Sequence, residues 1–436
     1  MSLVLMLLHS GPIRRIGDRL LDPIPLEIYQ EVFEYLCEND DMSVKELRRT
    51  LSNMALVCRF FSAIALPKLF AKVYFSGRPG PEVSRTSQFC RALNNNQEPE
   101  KSLAKHVKAC TFIHWPTATA CQASQVAFFT MYCSALSKMT SVESIAFYNV
   151  AITKRILKSV KNLCLVNSLS FSECSLVPEV DLDQFTNFLQ TLRLRFLTII
   201  ENKSSESRIF SNAISPALPL HNLIWLEVDN WSIIQRLSEL DHPLPLQTLA
   251  IFEVEDSALL PKLFRQTPHL LHLYIGTMES GADSSTPVQF TDHLLPKLSS
   301  FQGTLSLATL LIPQRPVKKV SLMGYEASCS VSTQQVWEAL TKSKAPIREL
   351  FIPEYLYCAA SLRDCLPNVQ VVKLSWCHSN PDDIVPALEP ASEYELKQVI
   401  SSGRLFLQTT IMLTTWIDRQ FSEYAQNGLR THLFLS

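Results

Sequence analysis

The stretch "LPLQTLAIFEVEDSALLPKLFRQTPHLLHLYI", Leu244 to Ile275, contains the same short pattern twice. Apolar residues stand at Leu246-Leu249-Ile251 and again, 24 residues later, at Leu270-Leu273-Ile275. A proline lies one or two residues ahead of each copy. Proline ends a preceding helix, and the residues around it favour extended backbone. Each copy therefore predicts a helix, a break and then a short strand.

The same apolar pattern recurs along most of the chain. The copies are Val107-Cys110-Phe112, Val142-Ile145-Phe147, Val166-Leu169-Phe171, Leu189-Leu192-Leu194, Leu223-Leu226-Val228, Leu246-Leu249-Ile251, Leu270-Leu273-Ile275, Leu298-Phe301-Gly303, Val317-Val320-Leu322, Ile347-Leu350-Ile352 and Val369-Val372-Leu374. Each of the last seven follows a proline, at Pro219, Pro245, Pro268, Pro296, Pro316, Pro346 and Pro367. Most copies start roughly 20–29 residues apart, which is the period of leucine-rich repeats.

This part of the chain resembles an irregular leucine-rich-repeat solenoid. The resemblance implies an α/β fold in which parallel strands form one face and helices cover the other. Cys174 and Cys377 stand where that repeat has Asn or Cys, but the other copies lack such a residue, so the turn pattern is poorly kept. An open strand face is a broad protein-binding surface, and aromatic side chains on it would be binding hot spots. Trp225, Phe252 and Tyr274 are the candidate target-binding residues; the alternative is that these rings pack against helices.

The N-terminal segment predicts three short helices. Pro25 and Glu27 suit the start of a helix over roughly residues 25–37. Ser43 and Glu46 predict a capping box at the start of a second helix that runs toward Phe60. A third helical stretch is expected around Pro67. Three such helices make a bundle of about 50 residues, near the size limit for independent folding, so some of its apolar residues are expected to meet a partner.

Three blocks of this segment resemble an F-box of the form common in fungal proteins. They are Ile24-Pro25-Leu26-Glu27-Ile28, Leu56-Val57-Cys58-Arg59-Phe60-Phe61 and Leu66-Pro67-Lys68-Leu69-Phe70. Ile24 replaces the usual Leu, and the connection between the first two helices is long. The resemblance implies binding to a Skp-type adaptor and, through it, to a cullin. The adaptor-binding residues that it implies are Pro25, Leu26, Ile28, Val32, Leu56, Val57, Cys58 and Phe61. The alternative is that these residues form only the bundle's own core.

Composition argues against several other function classes. The chain has 436 residues and a net charge of −1, whereas binding of nucleic acid as the main partner needs a basic face. Only ten residues are glycine, and the glycine-rich phosphate-binding motifs are missing, so no cofactor is expected. The twelve cysteines form no CxxC pair and predict reduced thiols in an intracellular protein of the cytoplasm or nucleus. The sequence contains no run of 18 apolar residues, so no membrane span is predicted. No catalytic or metal site is expected.

The sequence thus predicts five segments. They are an N-terminal tail over 1–20, an F-box over 21–75, a linker with a short helix over 76–101, the repeat domain over 102–390 and a helical cap over 391–436. The implied function is that of a non-catalytic substrate-recognition subunit of a Skp–cullin–F-box ubiquitin ligase. Two alternatives stay open: a leucine-rich interaction scaffold with no ligase role, and a hydrolase or metal enzyme whose site is assembled only in space.

Overall fold

The computed structural model describes most of the chain. The described residues are 12, 15–16, 19–20, 24–38, 43–78, 81–115, 123–201, 220–278, 290–291, 293–323, 331–353, 356–357, 362, 365–375 and 406–407. They divide into two compact units: the first holds the described residues up to Leu169 together with Leu176–Asp181, and the second holds Ser170–Ser175 and the chain from Leu182 onward. None of the helices in the described part is long and apolar enough to cross a membrane.

The first unit begins with a short antiparallel pair and a three-helix bundle. The pair is β1 (Arg15–Ile16) and β2 (Arg19–Leu20). The helices are α1 (Leu26–Glu38), α2 (Val44–Val57) and α3 (Arg59–Leu69). The bundle core consists of buried residues from all three helices, Phe33, Leu51, Phe60, Ile64 and Ala65.

The predicted capping box is present at the start of α2. The backbone N–H of Ser43 donates to a Glu46 carboxylate oxygen at 3.1 Å, and the N–H of Glu46 donates to Ser43 Oγ at 3.3 Å. Helix α2 ends at Val57, three residues short of the predicted end, because Cys58 is extended (φ −162°) and separates α2 from α3. Pro67 lies inside α3 rather than at its boundary.

Regular structure follows the helical bundle almost without a break. Strand β3 (Lys72–Ser76) follows α3 almost directly and pairs in parallel with β4 (Ala109–Trp115), so the repeated strands begin about 30 residues earlier than residue 102. The expected linker is a 14-residue helix, α4 (Pro81–Asn94), whose Cys90 and Leu93 are buried. Phe70, Val73 and Phe75 have the spacing of the apolar triplet, and Val73 and Phe75 pair with Cys110 and Phe112 of the next copy. The copy was missed because Phe70 was assigned to the last block of the helical bundle.

The first unit continues with a parallel sheet and further helices. Strands β3, β4 and β5 (Ser144–Ile152) are joined in a register that aligns Phe75, Phe112 and Phe147. The rings of Phe75 and Phe112 are tilted with centroids 4.6 Å apart, and those of Phe112 and Phe147 are stacked with centroids 5.4 Å apart. The remaining elements are α5 (Glu100–Leu103), a 3₁₀ turn (Ala104–His106), α6 (Ala123–Leu136) and α7 (Lys154–Lys161). The division between the units falls within β6 (Ser168–Ser172) and β7 (Ser175–Leu176).

The second unit is built on a run of parallel strands. They are β8 (Phe196–Ile200), β9 (Trp225–Val228), β10 (Thr248–Val254), β11 (His272–Met278), β12 (Ser300–Thr304), β13 (Lys319–Met323), β14 (Glu349–Pro353), β15 (Val371–Ser375) and β16 (Phe406–Leu407). The helices between them are α8 (Leu182–Thr191), α9 (Trp231–Ser238), α10 (Leu260–Gln266), α11 (Leu305–Leu311) and α12 (Thr333–Thr341). Short 3₁₀ turns span Leu220–Asn222 and Ser257–Leu259.

The register of these strands follows the predicted repeat. The central apolar residues of successive copies are direct partners on adjacent strands: Leu197, Leu226, Leu249, Leu273, Phe301, Val320, Leu350 and Val372. Each is at most 2% exposed. Identical apolar positions stack because a parallel pair in register keeps every buried side chain on the same face. The α/β fold with a parallel strand face is therefore confirmed.

All but one of the predicted copies coincide with a strand, and the exception is shifted by five residues. Leu189 of the copy Leu189-Leu192-Leu194 lies in helix α8, and the strand is β8, whose buried residues are Leu197 and Ile199. The two overlapping apolar triplets look alike in sequence, and no proline marks the correct one. Most of the expected C-terminal helical cap, 391–436, lies outside the described residues. Within it, Phe406–Leu407 forms a strand parallel to β15 where a helix is predicted.

Candidate functional site

The first candidate surface is an apolar face on helices α1 and α2, which we term the helical face. It consists of the large exposed apolar side chains of these helices: Ile28 (47% exposed), Val32 (49%), Tyr35 (73%), Leu56 (84%) and Val57 (68%). Ile28, Val32 and Tyr35 recur with helical spacing along one side of α1. Single exposed apolar residues are ordinary on a protein surface, whereas five on two short helices make this region a candidate interaction surface.

The structure divides the eight residues expected to bind an adaptor into two groups. Pro25, Ile28, Val32, Leu56 and Val57 are exposed. Leu26, Cys58 and Phe61 are partly buried and pack against the bundle core. Phe61 lies 5.6 Å from the ring of Tyr29 and 5.5 Å from the ring of Phe60, centroid to centroid. Leu26, Cys58 and Phe61 therefore fit the alternative that these residues belong to the bundle core, and the other five remain candidates for adaptor binding. Tyr35, the second most exposed residue of the helical face, was not among the predicted residues.

The second candidate surface is the face of strands β9, β10 and β11 opposite their buried leucines. Along these strands the residues that alternate with the buried leucines are partly exposed, including Trp225, Phe252 and Tyr274. The rings of Phe252 and Tyr274 are in contact, with centroids 5.2 Å apart. The three candidate target-binding residues thus share one face, and none of them is in the fully buried set that packs beneath the sheet.

Glycine at position 276 allows β11 to approach β10 beside this aromatic pair. A Cβ atom at Gly276 would lie 2.3 Å from the backbone oxygen of Phe252, which is far inside van der Waals contact. Only glycine can occupy this point of close backbone approach without displacing a strand. The contact between the rings of Phe252 and Tyr274 therefore depends on Gly276, which lets the two strands come close.

Two carboxylates lie on the same face as these rings, at the positions next in alternation after Trp225. Glu227 accepts a hydrogen bond from Thr198 Oγ1 at 2.9 Å, and its pKa is raised by burial. Asp229 accepts one from the backbone N–H of Glu201 at 2.6 Å through Oδ2, whereas its Oδ1 is buried without a hydrogen-bond partner.

Burial dominates the ionisation behaviour of this face. It raises the pKa of Asp229 to about 7; the hydrogen bond from Glu201 opposes this, and the charges of Glu201 and Glu253 reinforce it. Burial also raises the pKa of Tyr274 to about 12, with a further contribution from the nearby charge of Glu227. We term Trp225, Glu227, Asp229, Phe252 and Tyr274 the acidic–aromatic patch. Sequence reasoning found its rings but not its acids, because an alternating Glu or Asp on a strand looks the same whether it is solvated or desolvated.

A cavity of about 280 Å³ lies among the turns that precede strands β9 to β11. His221, His242 and His269 line it together with Pro243, Leu244 and Pro245. Lys297 Nζ lies 3.3 Å from Nδ1 of His269. Within the described ranges, no three His, Cys, Asp or Glu side chains are arranged so that they could hold a metal ion.

Comparison with known proteins does not assign a family. No family model matches the chain, and no curated protein matches it. Among solved structures, similarity is found to a leucine-rich repeat-containing protein of Legionella pneumophila (12% identity, 62% of this chain and 97% of that chain, TM-score 0.31). A Bacteroides fragilis protein (13% identity, 51% and 68%, TM-score 0.30) and the Drosophila Toll–Spatzle complex (13% identity, 62% and 37%, TM-score 0.26) also match. These likenesses are too low to carry an argument, so the repeat fold rests on the strand register itself.

Proposed function

We propose that this chain is a non-catalytic substrate-recognition subunit of a Skp–cullin–F-box ubiquitin ligase. In this role the N-terminal bundle binds the Skp-type adaptor, and through it a cullin, while the strand face of the second unit binds a target protein. Such a subunit works in the cytoplasm or the nucleus.

The observation that carries the proposal is the exposure of the helical face. Apolar side chains exposed by 47–84% lie on two helices of a bundle that already has a closed core of its own. Burying such a face in an apolar groove is an established mode of helix recognition, and it stabilises a complex by about 25 cal/mol for each Å² of apolar surface removed from water. Of the eight residues implied by the F-box resemblance, five are exposed and thus accessible to an adaptor.

The parallel strand face supports the second half of the proposal. A run of strands with one buried side and one partly exposed side offers a target a long surface without unpaired backbone groups in its interior. The aromatic members of the acidic–aromatic patch lie on that partly exposed side, where they suit contact with a partner.

A pull-down with purified Skp-type adaptor tests the adaptor half. The variant Val32→Glu/Leu56→Glu places charges on the exposed helical face, so we expect the bundle to fold and adaptor binding to fall by at least about tenfold. The matched control is Leu165→Glu, since Leu165 is exposed by 50% but lies outside the helical face. We expect this control to bind as the wild type does.

Two results would count against the proposal. If the wild-type chain does not bind the adaptor, the ligase role is wrong and the interaction scaffold without a ligase role becomes the better reading. If Val32→Glu/Leu56→Glu binds as well as Leu165→Glu, the helical face is not the adaptor site. Thermal unfolding of each variant separates lost binding from lost folding.

A further inference from the structure

Ala250 lies at the centre of the acidic–aromatic patch. Strand pairing places Glu227 opposite Ala250, and Ala250 opposite Tyr274. Adjacent strands are about 4.8 Å apart, so the backbone positions of Glu227 and Tyr274 are about 10 Å apart. Ala250 is only 7% exposed, and the charge of Glu227 contributes to the raised pKa of Tyr274, so the two larger side chains interact across it.

The residues around Ala250 repeat the same combination. Trp225 precedes Glu227 on the same face, and Phe252 follows Ala250 with its ring against Tyr274. The backbone N–H of Asp229 donates to the Ile199 carbonyl at 3.3 Å, so the strand pairing extends to Asp229 and keeps it on this face. Aromatic rings and carboxylates therefore surround Ala250 on three neighbouring strands.

Among the described residues, no Lys or Arg forms an ion pair with Glu227 or Asp229, and neither carboxyl has a cation among the causes of its shifted pKa. Burial therefore acts on both carboxyls without a compensating charge from these residues. Asp229 Oδ1 is too deeply buried for a partner to reach, whereas Glu227 is partly exposed. A cation bound at Glu227 would supply N–H donors and a positive charge beside both carboxyls.

We propose that the acidic–aromatic patch binds a Lys or Arg side chain presented by the target protein. An ammonium or guanidinium on the patch would donate to Glu227 in a charge-assisted hydrogen bond, would be attracted by the charge of Asp229 and would lie beside the flanking rings. The apolar edges of Trp225 and Phe252 fit the methylene stem of such a side chain. This inference rests on the proposed function, because it names the chemistry of the target segment that the strand face would recognise.

Other target chemistries fit this patch less well. An acidic segment would add repulsion to carboxylates that already lack a counter-charge, and an apolar segment would bury them further without supplying a donor. Basic groups of the described residues near this face have other contacts. The carbonyl of Arg195 accepts from the backbone N–H of Trp225, and its guanidinium carbon lies 5.9 Å from the ring centroid of Phe196. Lys319 on β13 is engaged with Glu349 on β14 at 3.0 Å, and His272 has a pKa lowered by burial and by the charge of Lys319.

Fluorescence anisotropy with the full-length chain and short labelled peptides tests the proposal. The probes share the sequence Gly-Ser-Leu-X-Leu-Ser-Gly, in which X is Lys, Arg, Gln or Glu. We expect the Lys or the Arg peptide to bind at least about tenfold more tightly than the Gln and Glu peptides. Added salt should weaken the binding of the cationic peptides, since part of the interaction is between charges.

Conservative variants then assign the binding to the patch. Glu227→Gln and Asp229→Asn keep the shape of each side chain and should each weaken binding of the cationic peptide by about tenfold. Phe252→Leu, which removes a ring but keeps an apolar side chain, should weaken it severalfold. Glu349→Gln is the matched control, because it neutralises an acid on the same sheet outside the patch, and we expect wild-type affinity. Thermal unfolding confirms that each variant is folded.

Three results would overturn the inference: equal affinity for all four peptides, no binding of the Lys and Arg peptides up to about 1 mM, or unchanged binding in Glu227→Gln and Asp229→Asn. The assay contains no adaptor, so its failure is distinct from failure of the ligase proposal. Conversely, Glu227→Gln should still bind the adaptor, since its substitution is outside the helical face.

Discussion

Replacing Asp229 by Asn should stabilise the protein above neutral pH and have little effect in mild acid. In the folded chain burial raises the pKa of Asp229 from 3.8 to about 7. The folded state therefore retains a proton at a pH at which the unfolded state has released it, and the free energy of unfolding falls as the pH rises from about 4 to about 7. Above that window the full cost of the buried charge is present. Asn does not titrate, so the variant escapes this cost.

The size of the effect follows from the pKa difference. A shift of about three units corresponds to about 4 kcal/mol as an upper bound, and partial solvent access reduces this to about 1–2 kcal/mol. The hydrogen bond from the Glu201 N–H to Asp229 Oδ2, 2.6 Å long, can be kept by the Asn carbonyl oxygen. Little should therefore be lost structurally. The carboxyl of Glu227 on this face also has a raised pKa, but it is present in both the wild type and the Asn variant and does not distinguish them.

Urea unfolding at pH 5 and pH 8 measures this prediction. We expect the Asn variant to gain stability over the wild type at pH 8 and to lose most of that advantage at pH 5. Glu338→Gln on the exposed side of α12 is the control and should change stability by less than about 0.5 kcal/mol at both pH values. An advantage of equal size at pH 5 and pH 8, or a less stable Asn variant at pH 8, would refute the argument from burial.

Three further predictions concern the scaffold that holds the patch. Leu226→Ala should lower the free energy of unfolding by about 2–5 kcal/mol in chemical denaturation, because Leu226 is fully buried at the centre of the strand register, whereas Leu310→Ala at an exposed site should cost far less. Gly276→Ala should lower the melting temperature in calorimetry and weaken peptide binding, since its Cβ would lie 2.3 Å from the Phe252 carbonyl oxygen; an unchanged melting temperature would contradict the close approach. Arg315→Met should lower the free energy of unfolding by about 2–4 kcal/mol in chemical denaturation. Arg315 is 1% exposed and its guanidinium donates to several backbone carbonyls, which Met would leave without a donor. An unchanged free energy of unfolding would mean that water replaces those hydrogen bonds.

Much of the repeat could be predicted because its signal is local. The triplet Leu246-Leu249-Ile251 places its last two residues in a strand, and a proline just ahead of the triplet marks where the preceding helical segment has ended. The Ser43–Glu46 capping box is equally local, since both hydrogen bonds join residues three apart. Such features depend on residues within a few positions of one another, so they can be predicted from a single sequence.

The errors arose where local signals were equal or weak. Leu189 and Leu194 begin overlapping apolar triplets, and only the pairing of β8 with β9 through Leu197 and Leu226 decides between them. Strand β3 has the complete triplet Phe70-Val73-Phe75, but Phe70 also fits the end of the third helix, and the pairing of Val73 and Phe75 with β4 decides that a strand begins at Lys72. Strand pairing is a contact between distant residues, so periodicity within one segment does not predict it.

The sequence by itself determined the α/β repeat, most of its strands, and a bundle with more apolar residues than it can bury. Only the tertiary structure decided which of those residues face outward, with Val32 exposed and Phe61 packed against the core. It also decided that Glu227 and Asp229 lie beside the Phe252–Tyr274 ring pair around Ala250. The physical reason is that exposure, desolvation and shifted pKa values depend on neighbours brought together from separate repeats, whereas secondary structure depends mainly on residues adjacent in the chain.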